Sequence, residues 1–193
     1  EPIARAALDR GWEFMGHGYT QRNMQKVDDE RADIRRTADA IEAFTGTHPR
    51  GWLGPGLTET WETPELLVEE GYDYVADWVL DDQPVEIETA HGTMVSIPYT
   101  VETNDITMMA LQHHSSDELL KRATDQFDRL YQESEKITRV MAISLHCYIT
   151  GAPHRIRYLE ELYRYIMSKP GVLMWTGEQV SDWYQGEMAK SRS

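Results

Sequence analysis

Short apolar runs alternate along this chain with longer stretches whose apolar residues recur at helical spacing, and that alternation constrains the fold more than any single motif. Val27, Ile34, Ala38, Ile41 and Phe44 share one face of a helix over 27–44, which Gly46 and Pro49 stop. Leu119, Ala123, Phe127 and Leu130 repeat the pattern behind a Ser115-x-x-Glu118 capping box, and Ile156, Leu159, Tyr163 and Ile166 define a third long helix. Shorter helices are expected at 3–10 and at 64–70, where Thr63 caps, Pro64 opens the first turn and Gly71 follows the last. A final helix follows the Thr176-x-x-Gln179 cap. Between these, 12–15, 72–78, 94–99, 140–145 and 172–175 read as strands, and the near-continuous apolar run 140–145 suits a strand covered on both faces. Strands alternating with helices predict an α/β fold with a parallel sheet or barrel.

At 193 residues, 40% hydrophobic and 27% charged, the chain is predicted to form one globular domain over 1–193. A formal net charge of -14 repels phosphate backbones and no basic tract offsets it, so nucleic acid is excluded as a partner. Cys147 is the single cysteine, which rules out an internal disulfide, and no run of about 18 apolar residues predicts a membrane span. Glu1-Pro2-Ile3 enters a helix at once, without an initiator Met or a signal-peptide pattern. The expectation is therefore a fragment or processed chain, cytoplasmic in location. No dinucleotide, Walker, Gly-x-Ser-x-Gly or Cys-x-x-Cys signature is present.

Catalytic groups of parallel α/β folds gather at the C-terminal ends of strands, and His17, Asp77 and His146 each fall at such an end. A histidine there can act as a general acid, a metal ligand or an oriented donor, or it can be a satisfied loop residue. In Gly16-His17-Gly18-Tyr19-Thr20-Gln21 a second histidine would complete a His-x-x-x-His pair, but the neutral amide of Gln21 is a poor zinc donor. The adjacent His113 and His114 read as loop residues. Arg50-Gly51-Trp52-Leu53-Gly54-Pro55 joins a fixed positive charge to glycines that permit close approach. It suits orientation of a carboxylate or binding of a carbonyl, or else a structural turn with a surface arginine. Asp77-Trp78, followed by Asp81-Asp82, offers a base or an orienting carboxylate, although acidic loop residues are common among 33 Asp and Glu. Trp12, Trp61, Trp175 and Trp183 read as core or interface packing. Cys147, which faces away from its neighbour His146 at a strand end, reads as packing and not as a nucleophile.

Taken in order, Glu13-Phe14-Met15-Gly16-His17-Gly18-Tyr19, Arg50-Gly51-Trp52 with Pro55, Tyr74-x-x-Asp77-Trp78 with Asp81-Asp82, Ile97-Pro98-Tyr99 with Asn104-Asp105, and Leu145-His146 resemble the polysaccharide deacetylase superfamily. Pro98-Tyr99-x-x-x-x-Asn104-Asp105, and Leu145-His146-Cys147 with Gly151-x-Pro153-x-Arg155, are most similar to its allantoinase and cyclic-imidase-like branch. The resemblance implies a distorted (β/α) barrel, incomplete at its N-terminus, with 1–193 as the C-terminal two-thirds of one domain. It implies hydrolysis of a carbon–nitrogen bond in a cyclic amide or ureide, with an acylated sugar as the alternative substrate. His146 then corresponds to the acid that protonates the departing nitrogen, Arg50 to the arginine that orients the catalytic aspartate, and Asp77 to an acidic residue supporting that arginine. His17, Trp52, Pro55, Trp78 and Asn104 correspond to substrate-binding positions. No metal is expected in the branch with Gln21; were the chain metal-dependent, His17 would ligate zinc or another divalent ion. The family's Asp-Asp motif, which supplies the base, lies upstream of this sequence, and Asp81-Asp82 is not that motif because it follows Trp78. A homo-oligomer is expected. Two other readings stay open: a metal-dependent N-deacetylase and a degenerate, non-catalytic barrel.

Overall fold

The computed structural model describes residues 2–192. They divide into two compact units, one built from residues up to Leu80, Pro84–Ile97 and the segment from Trp175, the other from Asp81–Gln83 and Pro98–Met174.

The first unit begins with α1 (Pro2–Leu8). The predicted strand 12–15 does not form; Gly16 alone makes an isolated parallel bridge to Trp52. α2 (Glu30–Thr45) starts three residues later than its apolar pattern does, because the Asp29 side chain accepts from the Ala32 amide and fixes the N-terminus there. It ends at Gly46, which adopts a left-handed conformation (φ 86°). β1 (Gly51–Trp52) is a two-residue strand that the sequence pattern does not reveal. α3 (Thr63–Glu69) and the following Gly71 lie where the proline and glycine signals predict, but Thr63 is the first helical residue and not the cap, its hydroxyl accepting from the Thr60 amide at 2.8 Å. β2 (Tyr74–Val75) is followed by a hairpin of β3 (Val85–Thr89) and β4 (Gly92–Ser96). The sheet order is β1-β2-β4-β3, with β1, β2 and β4 parallel and β3 antiparallel to β4. The parallel expectation is corrected at that edge: Thr89 pairs with Gly92 across a two-residue loop, and so short a connection permits only an antiparallel return. The strands do not close into a barrel among the described residues. α6 (Gly177–Arg192) completes the unit, and its predicted cap is present in both directions, Thr176 N–H to Gln179 Oε1 at 2.9 Å and Gln179 N–H to Thr176 Oγ1 at 3.4 Å. Met24, Ile34, Ala38, Trp52, Leu67, Tyr72, Val75 and Met94 form the core.

The second unit holds α4 (Glu118–Glu133) and α5 (Ile156–Met167). Ala123 and Phe127 of α4 pack with Leu162 and Ile166 of α5, as their helical spacing requires. Ser115 does not cap α4 through a side-chain bond to the helix backbone; the first helical amide, Glu118, bonds to the Ser115 carbonyl at 3.2 Å. The run 140–145 is not a full strand. Only Ser144 bridges in parallel to Asn104, exchanging bonds with Thr103 and Asp105 at 3.1 Å each. Asp105 opens a π-helical turn, Ile106–Leu111, whose Met108 and Met109 pack with Leu119 and Ile149. The predicted strand 172–175 makes no ladder among the described residues; Leu173 and Met174 are exposed.

Candidate active site

In the second unit the chain passes its single bridge at Ser144 and delivers His146 against a fully buried carboxylate, Asp105. Asp105 Oδ1 lies 2.6 Å from His146 Nδ1, while Asp105 Oδ2 accepts from the His146 amide at 2.8 Å and from the Thr150 hydroxyl at 2.6 Å. A carboxylate only accepts, so Nδ1 carries a proton and points it inward. The outer nitrogen, Nε2, is then free to exchange a proton, and the ring cannot rotate without losing its bond. The His146 side chain is about one-third exposed. The arrangement can act as an oriented general acid or base.

Asp105 stands beside Asn104 in the sequence, yet it is the residue that engages His146. Asn104 Oδ1 instead accepts from the Ile106 and Thr107 amides at 2.9 and 3.4 Å, closing the start of the π-helical turn, and its amide nitrogen donates to the Tyr99 hydroxyl at 2.9 Å. The signal that could have separated the two is that an Asp before an apolar run, here Ile106 to Leu111, is buried with its charge and needs donors. Cys147, expected to pack, is exposed, because the chain turns sharply after His146 through bonds to the His146 carbonyl from Ile149 and Thr150.

In the first unit Gly16 is bonded into β1, its amide to the Gly51 carbonyl at 2.8 Å and its carbonyl to the Leu53 amide at 2.9 Å. His17 follows, with Nδ1 bonded to the Leu53 carbonyl. A carbonyl oxygen only accepts, so Nδ1 donates, and Nε2 is left as the ring nitrogen without a bond among the described residues. Gly18 adopts φ 68°, and a Cβ there would lie 2.9 Å from Pro55, so glycine is what lets the His17 loop close over the buried Pro55.

Asp77 is 7% exposed. Its Oδ1 accepts from the Gly54 amide at 2.6 Å, which ties the loop after β1 to the end of β2. Its Oδ2 has no donor, and neither has the buried Oε1 of Glu59; the two carboxyl groups are hydrogen-bonding neighbours. One proton held between them satisfies both oxygens. Burial, with Glu59 beside it, pushes the Asp77 carboxyl up to about 9, and burial raises Glu59 as well. The other oxygen of Glu59 accepts from the Trp78 indole at 2.8 Å.

Three expectations for this unit are corrected. Asp77 does not support Arg50: the Arg50 guanidinium pairs with Asp73 before β2 and, at 2.6 and 3.3 Å, with Asp182 of α6. That bidentate partner holds Asp182 below the usual carboxylate range. Trp52 is no substrate contact in this fold, since β1 turns it wholly inward, edge-on to Tyr72 with centroids 5.5 Å apart. Of the core or interface packing expected of Trp61 and Trp12, the core is corrected: they are 93% and 67% exposed. Trp175 and Trp183 do pack, with centroids 6.5 Å apart.

A divalent metal, which the fold family implies, needs about three protein ligands. No group of three His, Cys, Asp or Glu side chains that could hold an ion exists among the described residues. His17 has its Nδ1 committed, and Gln21 is exposed with φ 53°. These described residues do not fit a metal centre. Among the described residues no helix is long and apolar enough to cross a membrane.

Residues 1–75 match the family model for polysaccharide deacetylase. A curated Schizosaccharomyces pombe protein assigned as a polysaccharide deacetylase is 30% identical over 93% of this chain. Among solved structures, a Pseudomonas aeruginosa protein assigned as a polysaccharide deacetylase is 30% identical over 95% of the chain, with a TM-score of 0.87. An allantoinase is 26% identical over 96% of it, with a TM-score of 0.88. The chain spans 62% of the curated relative and 63% of each of the two crystallised chains. By fold and by sequence, this chain is similar to members of the polysaccharide deacetylase family.

Proposed function

We propose that this chain serves the hydrolysis of a carbon–nitrogen bond in a cyclic amide or ureide such as allantoin, with His146 as general acid. The observation that carries the reading is the His146–Asp105 pair, in which a buried carboxylate fixes the ring and leaves Nε2 available. In this step the oxygen of water bonds to the ring carbonyl carbon and gives up a proton to Nε2 of His146, the carbon–nitrogen bond breaks, and that proton passes from Nε2 to the departing nitrogen. In the first unit, taken by itself, His17 offers an Nε2 able to accept an N–H and Trp78 offers an exposed aromatic face. Arg50, Asp77 and Pro55 position the backbone of the first unit, and Asn104 that of the second. The likeness to an allantoinase and the presence of Gln21 in place of a second histidine support the cyclic substrate over an acylated sugar.

The second reading is N-deacetylation of an acylated sugar, favoured by the 30% identity to a protein assigned as a polysaccharide deacetylase. The purified protein should be offered allantoin, succinimide and N-acetylglucosamine oligomers, each with and without a chelator. Ring opening that survives the chelator is the expected result. Acetate release from the sugar alone, abolished by the chelator, overturns the proposal in favour of the metal-dependent deacetylase; no turnover at all favours the non-catalytic reading. The same proposal takes the protein to be cytoplasmic and homo-oligomeric, which cell fractionation and light scattering test.

A further inference from the structure

Beside the Asp77–Glu59 pair, and wholly within the first unit, lies an open cleft of about 440 Å³ lined by Gln25, Glu59, Thr60, Trp61, Glu62 and Trp78. Its size falls within the range of small-molecule sites. Two tryptophans contribute to its walls, and Trp61 is 93% exposed, a large aromatic surface left in water with nothing packed on it. The charge of the lining is all of one sign: Glu59 and Glu62 contribute carboxyl groups and no Lys or Arg lines the cleft. Glu30 adds a third carboxylate nearby, held by the Thr60 hydroxyl at 2.7 Å and by the Thr63 hydroxyl. At the floor Asp77, only 7% exposed, shares one proton with Glu59, so the pair retains a single negative charge. The Gln25 amide is turned away to the Glu59 backbone carbonyl at 2.9 Å, so it does not neutralise the acids.

We propose that this cleft binds a small organic cation, an ammonium group attached to an apolar body. Tryptophan faces attract a cation through the ring quadrupole, by more than they attract a neutral molecule of the same shape, and carboxylates accept its N–H groups. A neutral ligand gains the stacking but leaves the acids uncompensated, so charge is the discriminating feature. The site shares Trp78 with the proposed hydrolase chemistry, but the proposal stands without any turnover.

The test is a binding titration of the purified protein at pH 7, followed by tryptophan fluorescence and calorimetry, with benzylamine as the cationic probe and benzyl alcohol as its neutral counterpart. Benzylamine is expected to bind saturably and on the order of tenfold more tightly than benzyl alcohol. Trp61→Ala removes a side chain outside the core, so it should leave the circular dichroism and thermal midpoint unchanged while weakening benzylamine at least about fivefold. Glu62→Gln, which keeps size and removes charge, should weaken benzylamine and leave benzyl alcohol unaffected. Equal affinity for the two probes, or benzylamine binding unaltered in both variants, overturns the proposal.

Discussion

Three donors converge on the buried carboxylate of Asp105: the ring of His146, the amide of His146 and the hydroxyl of Thr150. Asp105→Asn puts an NH2 group among them, so at least one donor loses its acceptor and faces another donor, a conflict worth about 1–3 kcal/mol where no water reaches. Urea unfolding should register that loss, and turnover should fall because the ring loses its fixed tautomer. His146→Ala separates the two effects. It leaves the Asp105 contacts to Thr150 and to the residue-146 amide, and it is expected to cut kcat on the order of 10²-fold to 10⁴-fold with a smaller change in stability. Unaltered turnover in His146→Ala would sink its role as acid. His146 was legible because it follows the most apolar run of the chain. Asp105 was less so, since its place before the apolar run Ile106 to Leu111 signals burial but names no partner, and only the parallel bridge at Ser144 brings it under the ring.

At the scale of elements, the helices were readable and most of the strands were not. α2 and α5 follow apolar spacing, α3 its first-turn proline and the Gly71 behind it, and α6 the Thr176–Gln179 cap, all of them local signals. β1 and β2 are two residues long, too short to carry a period, and β3 places Glu86 and Glu88 in a strand that composition alone would send to a loop. The partners of Arg50 lie 23 and 132 residues away, beyond any local pattern. Asp77 was legible as a strand-end acid, but its work is to pin the Gly54 loop through a carboxyl group that keeps its proton. The unfolded chain releases that proton near the ordinary Asp value of about 4, whereas the folded chain holds it to about 9. Between those values the native state binds more protons, so the contribution of this group to stability is full at low pH and declines as pH rises, by at most about 1.4 kcal/mol per unit. Asp77→Asn keeps both bonds, accepting from Gly54 and donating to Glu59, but has no proton to lose. Urea unfolding at pH 5, 6, 7 and 8 should therefore give a flatter stability profile for Asp77→Asn than for the unmodified protein; parallel profiles would show that the proton is not held there.

For the whole molecule the governing quantity is the excess of 33 acidic over 19 basic residues. Much of the basic complement is already matched: Arg31 and Arg35 with Glu70, Arg50 with Asp182, Arg122 with Glu118, Arg139 with Glu133 and Arg192 with Glu86. Such pairs at an exposed surface contribute about 0–1 kcal/mol each and lose little when salt screens them. The remaining carboxylates repel one another over longer distances, and that repulsion is what salt removes most effectively, because the screening length falls from about 30 Å at 0.01 M to about 8 Å at 0.15 M. The two effects oppose each other, and the net charge of -14 decides the sign. Thermal unfolding followed by circular dichroism should give a midpoint that rises when sodium chloride is raised from 10 to 150 mM. A falling midpoint would mean that the ion pairs outweigh the excess charge, and the fold would then owe more to its arginine network than its composition implies.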